Sequence, residues 1–225
     1  ATGLGIIDQL SNTINRIKQL SLSMLPDGMV RIIAKQNSID NNTVIIASII
    51  KTYFLMVIPV AVLVTTLGYL FDDQLTLYIF GKIEYKLYFQ IGMIALPVSL
   101  FSASFRSFLK AYKEIKSIAF IEILVIILNL LLFIPLVYYL DITGGVIYAT
   151  GSFIVTFIVV FSVVRKNIFI KYKISYSDIK NAKFSNIHFK ELLAFISSGI
   201  LVGAFSVFEE VTVRSLVVNQ LGIEE

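Results

Sequence analysis

Residues 118–140 read IAFIEILVIILNLLLFIPLVYYL, with Glu122 as the one charge in 23 positions. Wound as an α-helix, this stretch reaches about 35 Å, enough to cross a hydrocarbon core of roughly 30 Å. After Asp141 the apolar text resumes over Ile142–Val164. Comparable runs stand at Val44–Phe71, Leu87–Phe105 and Leu192–Val218. Unpaired backbone groups in lipid each cost several kcal/mol, so such runs are expected as helices. Pro59, Pro97 and Pro135 fall inside three of them, where kinks are expected.

The rest of the composition agrees. Hydrophobic residues make up 57% of the chain and mean hydropathy is +0.85, well above an ordinary soluble domain. Charged residues, 15% of the whole, gather in short clusters between the apolar runs, so the net charge of +4 reads as a topology signal and not as a nucleic-acid footprint. Without cysteine there is neither a disulfide framework nor a thiolate metal site, and the lone His188 cannot form a histidine cluster. No metal or other cofactor is expected. The chain lacks an initiator Met and a cleavable signal pattern and stops just after an apolar run, so it is expected to be truncated at both ends.

Gly5–Leu25 reads differently. Ile7, Leu10, Ile14, Ile17 and Leu20 recur at spacings of three and four, opposite a stripe of Asp8, Asn12, Asn15, Gln19 and Ser23. Such a helix lies on a membrane surface or lines an aqueous cavity within one. The basic segments 106–116 and 165–190, the latter with seven Lys and Arg against Asp178 alone, are expected on the cytoplasmic side, with Asp72, Asp73, Glu84 and Asp141 facing outward. That alternation requires Gly5–Leu25 to span, giving about six crossings in an all-α, multi-pass bundle.

Several passages carry a family resemblance. GlyLeuGly at 3–5 with the polar helix closing on AspGlyMetValArgIleIleAlaLys at 27–35, PheLeuLysAlaTyrLysGlu at 108–114, ThrGlyGlyValIleTyrAlaThrGly at 143–151 and ValThrValArgSerLeuValValAsnGlnLeuGly at 211–222 stand in order along the chain. Together they resemble Wzx-type polysaccharide flippases of the MATE-like (MOP) superfamily. The resemblance implies a transporter about twice this length, with two lobes around a central cavity. Residues 1–190 would be most of the N-terminal lobe and its basic linker, and 191–225 the first helix of the second lobe. It also implies the bacterial inner membrane, an undecaprenyl-diphosphate-linked oligosaccharide such as an O-antigen unit as cargo, and polymerase and chain-length proteins as neighbours. No bond would be made or broken.

Cationic groups for diphosphate and polar groups for sugar are what such cargo demands. Arg16 lies deep in the polar-stripe helix and is a cavity candidate; Lys18 leans toward the apolar side and could snorkel. Asp8 is a candidate ion or sugar contact, or an outer-face residue. Arg31 and Lys35 read as positive-inside anchors or a substrate gate. Lys51, two turns after the capping pair Asn41–Asn42, either snorkels or meets phosphate. Glu122 is an interface residue or an ion-coupling group, and Asn129 an interhelical hydrogen-bonding residue. GlyIleLeuValGly at 199–203 has the spacing of close helix packing. Beyond it Glu210, a further ion-coupling candidate, and Arg214 are four apart and able to pair; the resemblance ranks Arg214 first for diphosphate. Phe and Tyr read as lipid-facing or belt residues more than as sugar platforms.

Other functions fit less well. AspAsp at 72–73 has no second carboxylate motif to complete a glycosyltransferase metal site, and no phosphate-binding glycine loop or nucleophile elbow is present. The alternative is a multidrug or other small-solute exporter of the same superfamily; a cation exporter needs a net acidic cavity, whereas the deep charges here include Arg16, Lys18 and Arg214. A scaffold for polysaccharide assembly is the remaining alternative.

Overall fold

The structure is a computed structural model that describes residues 10–15, 17, 24–39, 42–199 and 201–202. Among these residues there is no strand. The helices are α1 (10–15), α2 (Leu25–Ile39), α3 (Thr43–Leu70), α4 (Asp72–Phe80), α5 (Lys86–Ala111), α6 (Ile115–Val164), α7 (Tyr176–Asn181) and α8 (186–199). A 3₁₀ turn, Ile83–Tyr85, leads into α5, and a π-helical turn, Arg165–Ile170, follows α6. Three stretches, Thr43–Leu70, Ile83–Ala111 and Ile115–Ile170, are long and apolar enough to cross a membrane.

The third of these is a hairpin. Asp141, at φ 46° and ψ −127°, leaves helical geometry in the middle of α6. The two arms then run back along each other: the rings of Phe133 and Tyr148 meet at 4.9 Å, and Asn167 Nδ2 donates to Ser117 Oγ at 2.7 Å. Leu128, Leu131 and Leu132 share one groove with Val155, Ile158 and Val159. Gly144 makes the tight return possible, because a Cβ there would collide with the Leu136 carbonyl, a backbone atom that cannot swing aside. The break expected between the two apolar runs is therefore at Asp141.

The helices alternate in direction, and this sorts the connections between two ends. Tyr53 Oη donates to Ser104 Oγ at 2.8 Å and Tyr69 Oη to the Gln90 carbonyl at 3.0 Å, so α3 and α5 are antiparallel. The segments 106–116 and 165–190 share one end, joined by Lys171 and Glu114 at 2.6 Å. Lys86, Asp72 and Asp73 lie at the other, with Thr143 beside Tyr88. Helix α5 is central, packing against α2, α3 and both neighbours in the chain. One core cluster joins Met29, Ile33, Ile50, Tyr53, Phe108 and Val164 toward the basic end. A second joins Leu10 and Ile14 to Phe89, Met93 and Val146 toward the other, and Gly92 leaves the room that Leu10 occupies.

Two features depart from the sequence reading. Arg31 and Lys35 do not close a helix: α2 runs on to Ile39, because Leu25, Met29, Ile32 and Ile33 recur at helical spacing and are buried. Segment 165–190 is not a plain loop. Its first residues continue α6 as the π-helical turn, and Ser175 with Asp178 forms a capping box that starts α7. The cap expected at Asn41–Asn42 is Asn42, whose side chain accepts from the Val44 amide at 3.0 Å.

Candidate functional site

At the basic end, the first turns of α3 and the last turns of α5 and of the second arm of α6 do not close against one another. Together with the π-helical turn and α7 they surround a cavity of about 530 Å³, within the roughly 300–1,000 Å³ of ordinary ligand sites. Its walls are Phe54, Phe105, Phe161 and Phe169 with Ile174 and Ile179, and its single charge is Arg165. Phe105 is the hub of the wall, with ring centroids 5.7 Å from Phe54 and 5.2 Å from Phe161. Phe161, Ile170 and Tyr176 are exposed, so the cavity opens outward at its rim. The π-helical turn matters here, since adding a residue per turn moves Phe169 under Phe108, ring to ring at 5.6 Å, while Arg165 stays at the lining.

A polar frame holds this end together. Glu114 accepts from Lys171 Nζ and, at 3.2 Å, from Ser117 Oγ, which itself accepts from Asn167. The hydrogen bond from Lys171 holds the Glu114 carboxyl below the usual carboxylate range. Arg106 and Glu122 form an ion pair. Beneath α7, Ser48 Oγ donates to the Lys183 carbonyl at 2.6 Å, and Thr52 Oγ1 accepts from the Ser185 amide at 3.2 Å.

A smaller cavity of about 320 Å³ lies nearby between Asn37, Ser38, Tyr112, Lys113 and Tyr172. Burial pushes Tyr112 up to about 12, and its hydroxyl and Asn37 Oδ1 are buried without a hydrogen-bond partner among the described residues. At the far end, Asp72 accepts from Gln90 Nε2 at 2.6 Å and pairs with Lys86 at 3.2 Å; the Gln90 bond first, and Lys86 after it, hold its carboxyl low.

The expected site residues are scattered across this frame. Lys51 Nζ donates to the carbonyls of Lys180 at 2.7 Å and Ala182 at 2.8 Å, so it closes the C-terminus of α7. Arg31 lies 6.0 Å from the Phe195 ring centre, a cation–π contact. Glu122 is engaged by Arg106. No hydrogen bond or ion pair among the described residues links these three to one another. Asp8, Arg16, Lys18, Glu210 and Arg214 lie outside the described residues. Among the described residues no group of three His, Asp or Glu side chains is gathered for a metal. Asn129 Oδ1 is buried without a hydrogen-bond partner among them.

The aromatic cavity was not legible as a site. Its rings come from four separate parts of the chain, and Arg165 read only as a topology charge. A local signal did exist: Phe101 and Phe105, and Phe157 and Phe161, are each four apart, which puts each pair on one helix face. No protein-family model, curated protein or solved structure matches the chain.

Proposed function

We propose that the chain is a multi-pass membrane protein and part of a transporter that flips undecaprenyl-diphosphate-linked oligosaccharides across the bacterial inner membrane by alternating access. The observation that carries the membrane reading is where the apolar side chains lie. On the first arm of α6, Ile123, Ile126, Leu130, Leu131 and Ile134 form an outward stripe, each more than half exposed. Water is a poor solvent for such a face, and lipid is a good one. Charged groups stand at the two ends of the helices, as interfaces require.

The cargo rests on the ordered sequence passages that resemble polysaccharide flippases. A cation-rich end supports an anionic amphiphile over a cationic drug as substrate. Rocking of one lobe against the other would move the headgroup while its tail stays in lipid. The test is complementation. The whole transporter, expressed in a strain lacking its own polysaccharide flippase, is expected to restore surface polysaccharide, and Arg214→Ala or Arg16→Ala at matched membrane levels to abolish it. Failure of the unaltered protein with its own glycan present would sink the flippase reading.

A further inference from the structure

We propose that the cavity lined by Phe54, Phe105, Phe161 and Phe169 is a binding site for a lipid with a net-anionic phosphate headgroup, its hydrocarbon tail among the rings and its phosphate on Arg165. The inference rests on the membrane reading above but not on transport.

Three observations converge. The lining is aromatic and aliphatic, which suits a hydrocarbon and offers sugar hydroxyls almost nothing to bond. The cavity opens at the end of the membrane-length helices, past exposed Phe161, Ile170 and Tyr176, so a chain could enter it from the side without leaving apolar surroundings. The third observation is charge. Asp141 lies at the other end of the molecule, and the remaining acids between Arg106 and Glu191 are all engaged: Glu114 by Lys171, Glu122 by Arg106, Asp178 by the Ser175 amide and Glu191 by His188. Arg165 has no carboxylate partner among the described residues, and Lys166 stands beside it. Both are exposed and open to an anionic headgroup. A guanidinium takes phosphate in two parallel hydrogen bonds, which an ammonium does not match.

Two sources share this chemistry: an anionic phospholipid of the bilayer and a polyprenyl phosphate. The protein contains no Trp, so Tyr176→Trp at the exposed rim installs a single reporter. The purified protein is reconstituted in phosphatidylcholine vesicles, and co-flotation and helical circular dichroism establish that it is inserted and folded. Brominated phosphatidylglycerol is expected to quench the reporter saturably and beyond brominated phosphatidylcholine at equal mole fraction. Arg165→Gln in the same background should weaken half-saturation about fivefold, and Arg165→Lys should recover part of it. Undecaprenyl phosphate relieving the quenching where undecaprenol does not assigns the site to the polyprenyl carrier; no relief assigns it to the bilayer phospholipid.

Equal quenching by the two brominated lipids, or a preference unchanged in Arg165→Gln, overturns the proposal and leaves the membrane reading standing. A protein that does not float with vesicles overturns both.

Discussion

Lys51 shows how far a single residue's meaning depends on what lies beside it. A lysine in an apolar helix reads equally as a snorkelling cation or a phosphate contact, and nothing in residues 43–70 announces that a short helix from 129 positions away will place two carbonyls over its ammonium. Partly exposed charged hydrogen bonds of this kind contribute about 1–2 kcal/mol. Lys51→Met should therefore lower thermal stability in detergent by about that amount, while a variant of exposed Lys166, which has no ion pair among the described residues, should leave it unchanged. Glu114 gives a second prediction with a definite sign. Its folded carboxyl titrates below its unfolded value, so its stabilisation is complete above the unfolded value and is lost as pH falls through the folded one. Melting temperature should drop as pH is lowered below about 4.5. In Glu114→Gln the melting temperature at neutral pH should be lower and part of that acid-side drop missing; an unchanged pH profile would mean that the Lys171 contact contributes nothing.

At the scale of elements, the sequence was most readable where solvent decides and least where register does. The three stretches long and apolar enough to cross a membrane declare themselves by length and composition, and the break within the third is marked by Asp141 alone among apolar neighbours. The π-helical turn at Arg165–Ile170 carries no comparable mark. Its residues are ordinary for a helix end, and the extra residue per turn is set by how Phe169 and Ile168 fit the finished core. The extension of α2 to Ile39 lay between these cases, since its buried spacing was present but Asp27, Arg31 and Lys35 dominated the reading. The α6 hairpin yields the prediction proper to this scale. Gly144→Ala would drive a methyl into the Leu136 carbonyl, and relieving the overlap requires the arms to part. A loss of about 1–3 kcal/mol is expected, seen as a lower melting temperature and weaker protection of the arm amides from hydrogen exchange. Asp141→Gly, which permits the positive φ already adopted there, should be tolerated without that loss. The opposite ranking of the two variants would show that the return is not governed by the close approach at Gly144.

For the whole molecule, the arrangement of ends is the property from which function would follow, and it can be tested without knowing the cargo. Segments 106–116 and 165–190 meet at one end through Lys171 and Glu114, whereas Asp72, Asp73 and Lys86 meet at the other. Charge counting in the sequence could assign these groups to sides, but only folded contacts could show that each group is one place. The chain has no native cysteine, so single Cys substitutions report accessibility against a silent background. In cells whose inner membrane is exposed on its outer face, a membrane-impermeant maleimide should label Lys82→Cys and Tyr139→Cys, and should reach Lys110→Cys and Lys180→Cys only after the membrane is permeabilised. The positive-inside bias sets which pair is reached first; the antiparallel helices set which residues belong to the same pair. A reversed pattern would therefore correct the orientation alone. Labelling that divides 110 from 180, or 82 from 139, would contradict the alternating fold, and with it the cavity that the ends of α3, α5 and α6 enclose.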